Sequence, residues 1–301
     1  MKPTRLLSRL ILLSLLLLAS LAILGYTLGT KAIAPANREV GAPPPDLQAE
    51  SVLIPDADGL DVSTWIVEPR SDKAIILLAH GLRGNKRAMI SRARLLKQHG
   101  YGAVLIDLRS HGESSGSNMT FGLEEAQSII AVLGHIRIRW PDRKISLIGQ
   151  SLGGAAAIVA AKTHRVDAYV LEAVYSSLRA ATQNRFELRF GPFGRFITPA
   201  LLWQVPLRLG FSVDALDLTQ RISDLCAPVL IISGDQDVRT TAADTEELFA
   251  AAQNPKSLWM IEGARHQDLY RFSGEAYEKR VLGFFADALQ GRIGTGICGG
   301  R

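Results

Sequence analysis

Gly149-Gln150-Ser151-Leu152-Gly153-Gly154 is the stretch on which the reading of this chain turns. A short apolar run, residues 145–148, leads into it, and an alanine-rich run, residues 155–161, leads out. The first reads as a buried strand and the second as a helix. A Gly-x-Ser-x-Gly sequence between a strand and a helix turns sharply and leaves its serine at the apex in a strained backbone. Glycines two places before and after remove the Cβ atoms that would collide across the turn. The hydroxyl then stands beside a helix N-terminus, whose dipole favours developing negative charge. Ser151 is therefore a candidate nucleophile, on condition that a base and an acid follow it in the right places.

Outward from that turn, strands and helices alternate. Upstream, residues 51–54 and 60–68 flank Asp58-Gly59 as a hairpin. Residues 74–79 and 103–108 are apolar runs suited to strands buried on both faces. Helical spacing occupies residues 85–99 and 121–139. Downstream, residues 168–174, 229–233 and 258–262 read as strands, and 152–163, 242–252 and 275–289 as helices. Eight strands alternating with helices of this length imply an α/β fold, a mostly parallel eight-stranded sheet with helices on both faces. Residues 178–225 break the rhythm, and a structureless loop of that length is rare in a compact domain. Short helices are expected there, for example over 195–203, forming a lid. Its aromatic residues, Phe196 and Trp203 among them, are candidates for lining an apolar substrate cleft, or for simply packing the insertion.

A serine hydroxyl needs a base to take its proton and a carboxylate to orient that base. In open parallel sheets the reacting groups collect at the carboxyl ends of the strands. Of the six histidines only His266 both follows a strand and lies downstream of Ser151. His164 falls at the far end of the helix after the turn and reads as a surface residue. His80 reads as structural, and His111 as a loop residue bordering the cleft. For the acid, Gly234-Asp235-Gln236-Asp237 offers two carboxylates. Asp235 is placed to cap the backbone after the glycine, whereas Asp237 can extend toward the histidine, so Asp237 is favoured. The order Ser151, Asp237, His266 is that of the α/β-hydrolase triad. The backbone N–H of Leu152 and that of Leu82, in His80-Gly81-Leu82-Arg83-Gly84, are the candidate oxyanion donors.

Together, the His80-Gly81 loop, Asp107-x-Arg109-x-His111-Gly112-x-Ser114, the serine turn, Gly234-x-x-Asp237 and the last histidine resemble the α/β-hydrolase superfamily over about residues 50–290. Within it the chain looks most like the membrane-anchored Bem46/ABHD-like serine hydrolases. The resemblance implies a metal-free, cofactor-free hydrolase of acyl esters, thioesters or amides that works through an acyl-enzyme. Gln150 stands where many relatives have histidine, and Thr241 where many have proline. Motifs alone do not separate an esterase from a peptidase of the prolyl-oligopeptidase-like branch, or from a binding protein that keeps the fold.

The ends of the chain are of another kind. Lys2, Arg5 and Arg9 precede an uncharged leucine-rich run, residues 10–29. That length meets the roughly 20 apolar residues a spanning helix needs. It favours an uncleaved membrane anchor over residues 1–29, with a signal peptide cut after Ala34 as the alternative. The bias of basic residues would place the large domain outside the cytoplasm. Residues 30–50 carry Pro35 and Pro43-Pro44-Pro45 and read as a partly stiff linker. The net charge of +5 is spread along 301 residues without a basic block, which gives no nucleic-acid footprint. Cys226 and Cys298 are too few for a disulfide framework and are expected to stay unpaired. The Gly-rich tail, residues 291–301, is expected to fray.

Overall fold

The computed structural model describes residues 3–70 and 72–294. In chain order the longer elements are α1 (Pro3–Ile33), β1 (Ala36–Asn37), β2 (Glu50–Pro55), β3 (Asp61–Val67), β4 (Ile75–Ala79), α2 (Ile90–Gln98) and β5 (Gly102–Ile106). Next come β6 (His111–Gly112), α3 (Glu125–Arg139), β7 (Ile145–Gln150), α4 (Leu152–Ala160) and β8 (Ala168–Glu172). The insertion carries α5 (Leu178–Phe190), α6 (Gly194–Leu202) and α7 (Gln204–Leu209). The chain closes with β9 (Val229–Gly234), α8 (Ala242–Ala251), β10 (Lys256–Ile261), α9 (Leu269–Ser273) and α10 (Glu275–Leu289).

Eight strands form one sheet among the described residues, in the order β10-β9-β8-β7-β4-β5-β3-β2. β2 and β3 pair antiparallel, β3 meets β5 antiparallel, and every other pairing is parallel. The continuous apolar strands explain the layering. Alternate side chains of β4 point to opposite faces, so Ile75, Leu77 and Ala79 join one core while Ile76 and Leu78 join the other. Helices α3 and α4 cover the first face and α2 and α10 the second. The turn at Asp58-Gly59 closes the hairpin as expected: Gly59 takes φ +75°, and Asp56 Oδ1 accepts from the amides of Asp58 and Leu60.

Three parts of the chain depart from the sequence reading. Residues 34–50 are strapped to the domain, where a linker was expected. Ala36 and Asn37 pair with His111 and Gly112, Glu113 Oε1 accepts from the amides of Val40 and Gly41, and Leu47 is fully buried. Short polar side chains and glycines here find partners on the domain, so the prolines shape a strap and not a stalk. The leucine-rich start lies in the single helix α1, yet among the described residues no helix is long and apolar enough to cross a membrane. The expected membrane-spanning anchor therefore gains no support from the structure. Cys226 is disulfide-bonded, against the expectation of an unpaired thiol. Lys2, Cys298 and most of the Gly-rich tail lie outside the described residues.

Candidate active site

The chain after β7 shows why the glycines around Ser151 are needed. A Cβ on Gly149 would lie 2.6 Å from Gly154 Cα, and one on Gly153 would lie 2.4 Å from the Ala79 carbonyl oxygen. Side chains at either place would push strand and helix apart. Ser151 itself sits at φ 48°, ψ −109°, outside the regions L-residues favour. Its amide donates to the Glu172 carbonyl at 2.7 Å, and its carbonyl accepts from Ala155 at 3.0 Å, so the strained residue is pinned on both sides.

Asp237 and His266 arrive at the same rim from β9 and β10, whose C-terminal ends lie in register, Gly234 opposite Ile261. Gly234 permits the approach of the histidine loop, since a Cβ there would fall 2.1 Å from the Ala264 carbonyl oxygen. Asp237 Oδ1 accepts from the amides of Arg239 and Thr240 at 2.8 and 2.9 Å. Its Oδ2 accepts from His266 Nδ1 at 2.7 Å, which turns Nε2 outward. The Asp237 carboxylate is fully buried, and the imidazole keeps a little exposure. Asp235 does not cap its own turn as the sequence suggested: its Oδ1 accepts from the Gly263 amide at 2.8 Å and ties down the loop that carries the histidine, while the local cap, onto the Arg239 amide, is made by Asp237. Between the two carboxylates, geometry selects Asp237 as the partner of His266. No hydrogen bond joins the Ser151 hydroxyl to the imidazole among the described residues, so acid and base are joined but base and nucleophile are not.

The loop after β4 folds tightly around His80. Its Nδ1 donates to the Gly81 carbonyl at 2.8 Å, and its Nε2 accepts from the Leu108 amide at 3.1 Å. Burial, with a smaller push from the charge of His111, lowers its pKa to about 3 and keeps the ring neutral. His80 thereby fixes the loop that carries Leu82, as its structural reading implied. A Cβ built on Gly81 would lie 3.7 Å from Ser151 Cβ, which measures how close that loop comes to the serine. The amides of Leu82 and Leu152 donate to no group among the described residues and flank the same cavity as Ser151. His111 does not border the cleft. It is fully buried behind His80, ring centroids 5.2 Å apart.

A cavity of about 440 Å³ opens over Ser151, within the size range of small-molecule sites. Its walls are mostly apolar: Leu82, Phe121, Leu152, Tyr175, Leu178, Phe186, Leu201, Leu202 and Val205. The charged residues that line it, Lys31, Arg83, Arg185 and Arg208, are all basic. Phe196 and Trp203, expected on its inner face, are 66% and 62% exposed and do not line it. Periodicity in a short amphipathic helix shows that one face is apolar, but not that this face points inward. The rings that do line the cavity are Phe121, Tyr175 and Phe186.

Two buried charge clusters escaped the sequence reading because their members lie far apart along the chain. Lys86 Nζ, fully buried, contacts Asp107 Oδ2 at 2.6 Å, Glu113 Oε2 at 2.8 Å and Ser63 Oγ at 2.8 Å. Burial raises the Glu113 pKa, but the hydrogen bonds from Lys86, Gly41 and Val40 outweigh it and bring it down to about 2. The second cluster lies beneath the serine turn. Arg92 grips Glu172 with two bonds, Nε to Oε1 at 2.9 Å and Nη2 to Oε2 at 2.5 Å, and also reaches Asp268 at 2.9 Å. The Tyr277 hydroxyl donates to the same Glu172.

Residues 76–279 match the alpha/beta hydrolase family, and the chain belongs to it. Among related sequences, the protein YqkD of Bacillus subtilis, itself uncharacterised, is 23% identical over 242 residues, covering 79% of each chain. A putative esterase/lipase of Haemophilus influenzae is 34% identical over 84 residues, 28% of each chain. The esterase Pf2001 of Pyrococcus furiosus superposes with a TM-score of 0.69 at 20% identity, over 84% of this chain and 98% of that one. At that identity the likeness is one of fold.

Proposed function

We propose that the protein is a serine esterase that cleaves carboxylic esters or thioesters of acyl substrates. The observation that carries this reading is the hydrogen-bonded Asp237–His266 pair at the same sheet rim as the strained Ser151, which itself opens onto an apolar cavity. The names of the Haemophilus and Pyrococcus proteins point toward ester chemistry as well. In this mechanism the Ser151 hydroxyl attacks the acyl carbon while His266 Nε2 takes its proton. Asp237 holds Nδ1–H, fixing the tautomer and stabilising the imidazolium that forms. The Leu82 and Leu152 amides bind the oxyanion. His266 returns the proton to the leaving alcohol or thiol, and water, activated by the same imidazole, then releases the acid.

The test is labelling with a fluorophosphonate together with turnover of p-nitrophenyl esters and aminoacyl-nitroanilides. Wild type should label at Ser151 and cleave esters, and Ser151→Ala should do neither while keeping its fold. Activity confined to the anilides would replace the esterase by a peptidase.

Membership of the Bem46/ABHD-like group, with the domain held at a membrane outside the cytoplasm, belongs to the same proposal. In its favour are the exposed apolar side chains of α1, Leu10 to Leu13, Leu15, Leu16, Ile23 and Leu24.

A further inference from the structure

The last two turns of α1 show a burial pattern that an exposed leader helix has no reason to have. Gly25, Leu28, Gly29, Ala32 and Ile33 are wholly or partly buried, while residues 22–24, 26, 27, 30 and 31 are exposed. The spacing i, i+3, i+4, i+7, i+8 is one face of a helix. That face is seated on the insertion. Gln204 Nε2 donates to the Gly25 carbonyl at 3.2 Å, and Arg208 donates to Thr30 Oγ1 and to the Tyr26 carbonyl, both at 3.0 Å. The Arg208 guanidinium also stacks 4.2 Å above the Tyr26 ring. At Gly29 the Gln204 side chain comes close: a Cβ there would lie 2.7 Å from its Oε1, the movable end of that side chain. On its other flank α1 is held by the core of the domain, where Met119 donates to the Ile33 carbonyl at 2.8 Å. Four of the five residues on this face, Leu28, Gly29, Ala32 and Ile33, line the cavity over Ser151.

We propose that the C-terminal end of α1 is a wall of the acyl-binding site, and that Leu28 and Ala32 set the length of acyl chain the enzyme accepts. This rests on the esterase reading of Ser151. A segment whose composition suggests only a leader thus completes the site, and the chain it accommodates is of medium length, on the order of ten carbons for a cavity of this size. The small side chain of Ala32 leaves the space open, and Leu28 closes it. Each methylene that the wall shields from water strengthens binding about fourfold.

The experiment measures kcat/KM for p-nitrophenyl esters from acetate to hexadecanoate in wild type, Ala32→Trp, Leu28→Ala and Ile23→Ala. Ile23 is exposed on the opposite face of the same helix and serves as control. In parallel, dodecanoate binding is measured by calorimetry on the same variants in a Ser151→Ala background. Ala32→Trp should lower the dodecanoate-to-acetate ratio at least tenfold and weaken dodecanoate binding by a similar factor. Leu28→Ala should move the preferred chain two or more carbons longer, and Ile23→Ala should change neither readout. A wild-type chain-length profile in both Leu28→Ala and Ala32→Trp overturns the proposal. If Ala32→Trp does not fold, Leu28→Ala decides alone. If wild type cleaves no ester and takes no fluorophosphonate, the esterase reading has failed and binding judges the wall. A tenfold loss in Ala32→Trp, or altered affinity in Leu28→Ala, then supports it, and equal or absent dodecanoate binding overturns it.

Discussion

Removing the Glu172 carboxylate should destabilise this protein more than most single changes can. In Glu172→Ala the Arg92 guanidinium, 1% exposed, loses its two-bond partner and keeps only Asp268, which lies toward the surface. Burial by itself would lower the Arg92 pKa, and the Glu172 charge is what overcomes it and raises it. The guanidinium stays charged without that carboxylate, so the cost appears as lost stability. Breaking one side of a buried pair costs about 3–5 kcal/mol. The Tyr277 hydroxyl, also buried, loses its acceptor in the same change. Against a domain stability of about 5–15 kcal/mol this is a large fraction. At about 2–4 °C per kcal/mol for a domain of this size, Tm should fall by about 6–20 °C. Replacing the pair together, Arg92→Met with Glu172→Leu, removes both charges and should recover most of the loss. Differential scanning calorimetry of wild type, the two single variants and the double variant reads this directly. A Glu172→Ala protein melting within 2 °C of wild type, or a double variant no better than that single one, would refute the reasoning.

Other expectations concern the site and its surroundings. Asp237→Asn should lower kcat by about 10⁴-fold with little change in KM, as loss of the orienting carboxylate does in such triads, while Asp235→Asn should cost less than tenfold; equal losses in steady-state assays would unsettle the choice between them. His80 is neutral when folded down to about pH 3, but in the unfolded chain it takes a proton near pH 6.5. The unfolded state therefore binds the extra proton in that window, and stability should fall as pH drops from 6.5 toward 3. The slope from this one group is about 1.4 kcal/mol per pH unit, and urea titrations of His80→Asn should show it flattened. Because every charged residue lining the cavity is basic, dodecanoate should inhibit ester turnover more strongly than dodecanol, and equal inhibition constants would contradict this. Finally, if the exposed leucines of α1 hold the protein at a membrane, it should pellet with vesicles and resist release by high salt; full release by salt counts against that association.

What could be read from the chain before any coordinates was whatever local geometry dictates. The glycines bracketing Ser151, the Asp58-Gly59 turn and the apolar runs each constrain only a few neighbours, so their meaning survives without tertiary context. The offsets of Asp235 and Asp237 from Gly234 separated the two carboxylates, but the local cap expected of Asp235 is made by Asp237, and Asp235 bonds the Gly263 amide 28 residues away. The rest needed partners from far away. Arg92 and Glu172 are 80 residues apart, and Gln204 and Gly25 are 179 apart. Nothing near either residue in sequence hints at the other. Gly25 and Gly29 vanish into a leucine-rich run whose composition suggests lipid, and only the fold shows that this face is seated against Gln204 and Arg208 of the insertion. Phe196 and Trp203 illustrate the converse, since an aromatic residue advertises burial that the fold does not grant.

The strap over residues 34–50 has a practical corollary. Deleting an oily leader is a routine remedy for poor expression, and here a cut before Ala34 would spare every group expected to do chemistry. On the esterase reading, the shortened protein should still label and turn over small test esters, and would pass for intact. On the wall proposed for α1 it would nonetheless lack one side of its binding chamber, and the preferences measured on it would describe a vessel with a missing panel.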